Sequence, residues 1–399
     1  MDSAAMTDDP PFEGVRVLDL SQGIAGPYCG MMLARNGADV IKLEPTGTGC
    51  WSRQLGKATG DHTAHSLIVH RGKRSLSLDL KSPEGCAIAR RLAADCDVLI
   101  QNYRVGKIDR FGLDYDTVRH ANEAIVYLSI TGFGSSGPNA DLPATDSVMQ
   151  AYTGLMSINR DATGMPQRLN MLAIDFACGL YGFQAVSSAL YRKAMKGKGA
   201  HIQTSLLEAS LSYQEAAIVE SALQGAEVEP IGMPVGTFKT SDGYMSINAR
   251  RQPQFERFAR LLGHEEWIGD PRFVEPRARV ANREALLALL RPIIETKTTD
   301  EWCALLSEID VLHGRVHTHG DLFEDAQVKA ISALRWVEDP TLGTLPMASL
   351  PGQPTPMTGD RFTLSPRLGE HTREILAELG HEAAAIEAMI AGGAAQAAD

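Results

Sequence analysis

Short apolar, β-prone runs alternate with helical stretches over the first third of the chain, and this alternation restricts the fold more than any other feature. Val15–Leu20 reads as a strand, Gly23 and Gly26-Pro27 as a turn, the stretch to Asn36 as a helix, and Asp39–Leu43 beyond Gly37 as a second strand. Strand, turn, helix and strand within about 30 residues form the unit of a parallel sheet. The pattern recurs with strand Ser75–Leu80, helix Pro83–Ala94, strand Val98–Gln101, helix Tyr115–Ala121 and strand Ile125–Thr131. It predicts a doubly wound α/β domain.

Longer helical patterns follow over Phe176–Lys193 and Ser205–Leu223, and then Gly, Pro and Glu dominate Gln224–Gly236, which reads as a linker. Beyond it, Gly243–Ala249 reads as a strand, whereas Gln254–Leu262, Arg283–Glu295 and Asp300–Glu308 read as amphipathic helices with no strand between them. A smaller α-rich domain is expected there. A loop holding Pro366 and Gly369 leads to a helix at Glu370–Leu379, and the Ala/Gly-rich tail after Gly392 is expected to fray. With 399 residues, two domains are more natural than one.

A net charge of −11 argues against nucleic acid or an anionic membrane as partner, because both attract a basic footprint. No run reaches the roughly 18 apolar residues that a spanning helix needs. Residues Met1–Pro11 carry no basic region before an apolar run, so they read as a short disordered lead and not as a secretory signal. The six cysteines are scattered without a C-x-x-C pair and are expected to be reduced thiols of a soluble cytoplasmic protein.

Four segments could carry chemistry. Gly132, Gly134 and Gly137 spell G-x-G-x-x-G after a strand, yet Pro138, Asn139 and Pro143 keep the chain in a loop where a dinucleotide site needs a helix start. Arg71, Lys73 and Arg74 precede a strand, and Arg104, Lys107 and Arg110 follow one; each group is either a solvated surface or a grip for phosphates. Asp175, set among Ile174, Phe176, Ala177 and Gly179, is either a helix N-cap or a desolvated carboxylate nucleophile. Asp146 is either a cap for the helix carrying Met149 and Gln150 or a polar active-site group. The histidines include no H-E-x-x-H, so no metal site is expected, and no G-x-S-x-G elbow occurs.

Residues across nearly the whole chain resemble the class III coenzyme A transferases (CaiB/BaiF type), which include formyl-CoA and carnitine-CoA transferases and related acyl-CoA racemases. The likeness rests, in order, on Gly14–Leu20, Ala25-Gly26-Pro27, Gly37–Pro45, Arg71–Ser75, Asn102 with Gly106 and Gly112-Leu113, Gly132–Gly134 with Gly137-Pro138, Asp175 with Gly179, and Pro366–His371. It implies a large Rossmann-like domain built from residues 1–223 and 330–399, a small domain over 224–329, and two such chains interlocked as a homodimer.

The resemblance further implies that coenzyme A is a substrate, not a resident cofactor, and that it moves between an acyl-CoA donor and a small carboxylic acid. Asp175 would be the catalytic carboxylate, acylated to an anhydride and then converted to a CoA thioester. Lys73, Arg74, Asn102, Tyr103 and Arg110 would lie along the coenzyme A, with Ile24 and Ala25 near its pantetheine arm. Asp146 stands where formyl-CoA transferases carry an acid. Thr145 stands where the racemases carry a His, and losing an imidazole weakens that alternative. The consecutive glycines of the formyl-CoA transferase lid are replaced by Gly232 and Gly236 with Met233-Pro-Val235 between them. Arg71, Arg250, Arg251 and His317 are candidates for holding a second carboxylate.

Overall fold

The computed structural model describes residues 10–161, 163–225, 230–353, 358–360 and 363–398. The lead thus lies almost wholly outside the described residues, as does part of the expected linker. The chain divides into two compact units, one made of Met1–Glu215 with Ser332–Asp399 and the other of Ala216–Ile331.

In the first unit β1 (Arg16–Asp19), β2 (Asp39–Glu44), β3 (Arg74–Leu78), β4 (Val98–Gln101), β5 (Val126–Thr131) and β6 (Ala200–Ser205) form one parallel sheet in the order 3-2-1-4-5-6. That is the doubly wound Rossmann order. Both faces are covered, so successive strand residues enter different cores. Val17, Val98, Val126 and Leu128 pack with α1 (Ala25–Arg35) and the later helix Ala173–Lys196. Leu18, Leu99 and Tyr127 pack on the other face with α2 (Pro83–Asp95), which Ser82 caps through the Gly85 amide at 3.0 Å. Further along are α3 (Asp146–Tyr152), α4 (Ala173–Lys196) and α5 (Leu206–Tyr213), and α6 (Glu215–Gln224) lies in the second unit from Ala216 on; the single helix expected over Ser205–Leu223 is therefore two. Among the described residues no helix is long and apolar enough to cross a membrane.

The tail does not fray. Ala395–Gln396 pair antiparallel with Ser77–Leu78 and extend the sheet, and Ala394 and Ala395 are buried. A hairpin of Leu334–Asp339 and Gly343–Ala348 precedes it, in a stretch where no strand was expected.

In the second unit three antiparallel strands, Val235–Lys239, Tyr244–Asn248 and Leu312–Arg315, pack against helices. Phe238, Ile247, Phe255, Phe258, Leu286, Leu290 and Trp302 build the core. Its centre also holds Arg279, fully buried, whose guanidinium donates to the carbonyls of Met233 and Phe273 at 2.9 Å and of Arg250 at 3.1 Å, and to Gln252 Oε1 at 2.7 Å.

Candidate active site

An order of 3-2-1-4-5-6 reverses direction between β1 and β4, and a crevice opens outside the carboxyl ends of those strands. A cleft of about 530 Å³ lies there. Gln22, Ile24 and Ala25 from the turn after β1, Asn102–Val105 and Lys107 from the loop after β4, and Ile130–Gly132 from the end of β5 form its walls, with Trp51, Thr145 and Asp175.

Asp175 occupies the first turn of α4 and is only 8% exposed. It does not cap the helix: its carboxylate accepts no hydrogen bond among the described residues. Burial, and then the neighbouring Asp146, push its pKa up to about 7. One turn along, a Cβ on Gly179 would lie 2.7 Å from the Ala25 carbonyl oxygen and 3.0 Å from Tyr28, so α4 approaches α1 closely enough to set Asp175 against the β1–α1 turn. Tyr28 and Phe176 seal that contact edge to face, with ring centroids 4.9 Å apart.

Asp146 is the first residue of α3, and it caps a different helix from the one its sequence neighbours suggest. Its Oδ2 accepts the amides of Ile174 at 2.8 Å and Asp175 at 3.2 Å, while Oδ1 accepts from Gln150 at 2.5 Å. Gln150 in turn accepts the Leu169 amide at 2.8 Å and donates to the Met171 carbonyl at 3.1 Å. The segment leading into Asp175 is thereby held from α3.

Of the residues expected along coenzyme A, Ile24, Ala25, Asn102 and Tyr103 line the cleft. Lys73 is buried and outside the lining, 2.7 Å from Asp19. Arg74 pairs with Asp39, Glu374 and Glu378 at 2.6–3.0 Å, and Arg110 is exposed outside the lining. Arg104 and Lys107, to which sequence reasoning gave no individual role, stand in the cleft wall and form no ion pair among the described residues. Their place after β4 is the signal that marks them. Arg71 is buried and donates to the Ala348 carbonyl at 3.3 Å; burial, and then Arg35, lower its pKa to about 10. Arg250, Arg251 and His317 belong to the second unit.

The glycine-rich loop after β5 runs to Asp146 without a helix, so it offers no helix terminus to a pyrophosphate. His62 and His65 have an H-x-x-H spacing, but among the described residues no three His, Cys, Asp or Glu side chains gather to hold a metal.

Residues 12–372 match the family model described as CoA-transferase family III. The chain belongs to CoA-transferase family III. This family III enzyme is 35% identical over 393 residues to the succinate–glutarate CoA-transferase of Agrobacterium fabrum, covering 93% of this chain and 96% of the other. It is 33% identical over 396 residues to the succinyl-CoA:glutarate CoA-transferase of Mus musculus, covering 96% and 90%. Its fold matches the crystal structure of a CaiB/BaiF family protein from Brucella suis at a TM-score of 0.82 and 33% identity, over 93% of this chain and all of that one.

Proposed function

We propose that this family III enzyme transfers coenzyme A from a dicarboxylic acyl-CoA such as succinyl-CoA to a second dicarboxylate through covalent intermediates on Asp175. One observation carries the reading: a buried carboxylate that accepts no hydrogen bond among the described residues faces the cleft, poorly solvated and so reactive towards a thioester. An Asp175 oxygen attacks the acyl carbon, the C–S bond breaks, and the CoA thiolate departs, leaving a mixed anhydride. The thiolate then attacks the Asp175 carbonyl carbon, and the donor acid leaves with the Asp175 oxygen. Attack of the acceptor carboxylate on the resulting aspartyl thioester releases the thiolate and forms a second anhydride. Thiolate attack on the acceptor's carbonyl gives the new acyl-CoA and restores Asp175. No net proton moves, and the chemistry calls for neither metal nor resident cofactor.

Arg104 and Lys107 supply cations for the phosphates of coenzyme A, and Asp146 sets both the place and the basicity of Asp175. Dicarboxylates are favoured as acids because the relatives above are named for succinate and glutarate. We further infer an interlocked homodimer in the cytoplasm. Exposed Leu180, Tyr191 and Met195 on α4 of the first unit support a partner surface; free thiols at all six cysteines suit a reducing compartment.

The route makes an isotopic prediction. With unlabelled succinyl-CoA and glutarate carrying oxygen-18 in both carboxylates, repeated turnover places label first in Asp175 and then in the released succinate. Succinate that stays unlabelled through many turnovers would exclude the anhydride.

A further inference from the structure

The turn between β1 and α1 has its backbone held by side chains from four other places in the chain. Lys42 of β2 donates to the carbonyls of Asp19, at 3.3 Å, and Ser21. The Asn102 carboxamide, just past β4, clamps Gln22 twice, accepting its amide and donating to its carbonyl at 2.7 Å each. Cys50 Sγ accepts the Gly23 amide at 3.1 Å. Lys73, just before β3, bridges both ends of the turn, donating at 2.7 Å to Asp19 Oδ2 and at 2.7 Å to the Pro27 carbonyl. Asp19 Oδ1 accepts the Ser21 amide at 2.9 Å.

The side chains of Asp19, Lys42 and Lys73 are wholly buried, one carboxylate between two ammonium groups. Gly30 of α1 makes the room: a Cβ there would lie 2.8 Å from Asp19 Oδ2 and 3.0 Å from Lys73 Nζ. Burying ions costs several kcal/mol each, and apolar side chains of similar volume would hold three adjacent strands at least as well. Stability therefore does not account for the trio. Its hydrogen bonds do: four of the six end on backbone groups of Asp19, Ser21 and Pro27, the turn that carries Gln22, Ile24 and Ala25 to the wall of the cleft that Asp175 also lines. Over-determined backbone of this kind is how a reacting geometry is held to a fraction of an ångström.

We propose that Lys73 is a positioning residue for the transfer reaction, acting through Asp19 and the Pro27 carbonyl to fix the Gln22–Ala25 wall against Asp175 and not by touching coenzyme A. The role rests on the function proposed above. Asp19 and Lys42 belong to the same device, and Gly30 is the space it occupies.

Lys73→Met and Gly30→Ala separate this from a phosphate contact. Both should lower kcat by about 10²-fold, the loss expected of a displacement near 1 Å, and leave the KM for acyl-CoA little changed. The triple variant Asp19→Leu/Lys42→Met/Lys73→Met separates it from a purely structural role, since it removes all three charges of the trio while filling the volume. A melting temperature at or near that of the unsubstituted enzyme with kcat still low supports positioning. Recovery of kcat together with stability overturns it, and so does a Lys73→Met enzyme that keeps kcat while its KM rises. Gly30→Ala needs no loss of charge, so it still decides the matter should the other variants fail to fold. The oxygen-18 experiment reads the covalent chemistry separately, so either idea can fail alone.

Discussion

Asp146 holds the backbone amide of Asp175 at 3.2 Å with the same carboxylate whose charge helps to raise the pKa of Asp175 to about 7. One side chain thus sets where the second carboxylate stands and when it ionises. In Asp146→Asn the charge is gone while the amide oxygen can still accept the Ile174 and Asp175 amides, at the loss of the bond from Gln150. The pH at which the rate of Asp175 acylation is half its plateau should fall below about 7. The measurement is the single-turnover rate against pH; an unchanged inflection would mean that burial alone raises Asp175.

The raised pKa also bears on stability. Asp175 is protonated to a higher pH folded than unfolded, so its favourable contribution is complete below the ordinary value of 3.8 and is lost as pH rises to about 7. Above that, the ionised side chain opposes folding by about 2–4 kcal/mol. Asp175→Asn should therefore abolish transfer yet raise the melting temperature, more at about pH 8 than at about pH 4. Equal melting curves for the two proteins at both values would argue that Asp175 is better solvated than the structure indicates.

Arg104 and Lys107 stand in the cleft wall without an ion pair among the described residues, so each should contribute to binding more than to turnover. After allowance for their exposure, replacing either with Ala is expected to raise the KM for acyl-CoA about 3–10-fold, with kcat within about twofold. The effect should shrink as ionic strength increases. A fall in kcat at unchanged KM would place them elsewhere in the cycle.

Arg279 knots the second unit by donating to three backbone carbonyls from its core. Arg279→Ala leaves those acceptors without a donor and opens a cavity. A loss of about 3 kcal/mol or more in unfolding free energy is expected, read by urea denaturation.

The sheet was legible because local pattern and tertiary role coincide in it. Val17 and Leu18 feed opposite cores, as do Val126 and Tyr127, and a fully apolar strand between turn glycines has few alternatives. Asp175 stands out by its setting among apolar and small residues and by the resemblance, whereas the position of the cleft emerges only from the sheet order. What sequence reading missed depends on distant pairings. Asp146 looks like a cap for its own helix, and only the fold brings it to Ile174 and Asp175. Lys73 reads from sequence as a phosphate ligand, and only the fold brings Asp19 of β1 to 2.7 Å from it. Ala395 and Gln396 have no strand signal of their own and are ordered by Ser77 and Leu78. Pro346 hides the second strand of the late hairpin, which lies at an edge where proline is tolerated.

The central claim is a covalent bond at Asp175. The direct test is to mix the enzyme with succinyl-CoA, quench within a turnover in hydroxylamine, and weigh the peptide that contains Asp175. A hydroxamate mass shift on that residue, dependent on succinyl-CoA and lost in Asp175→Ala, is the predicted result. An unmodified Asp175 in an enzyme that is turning over in the same mixture would contradict it.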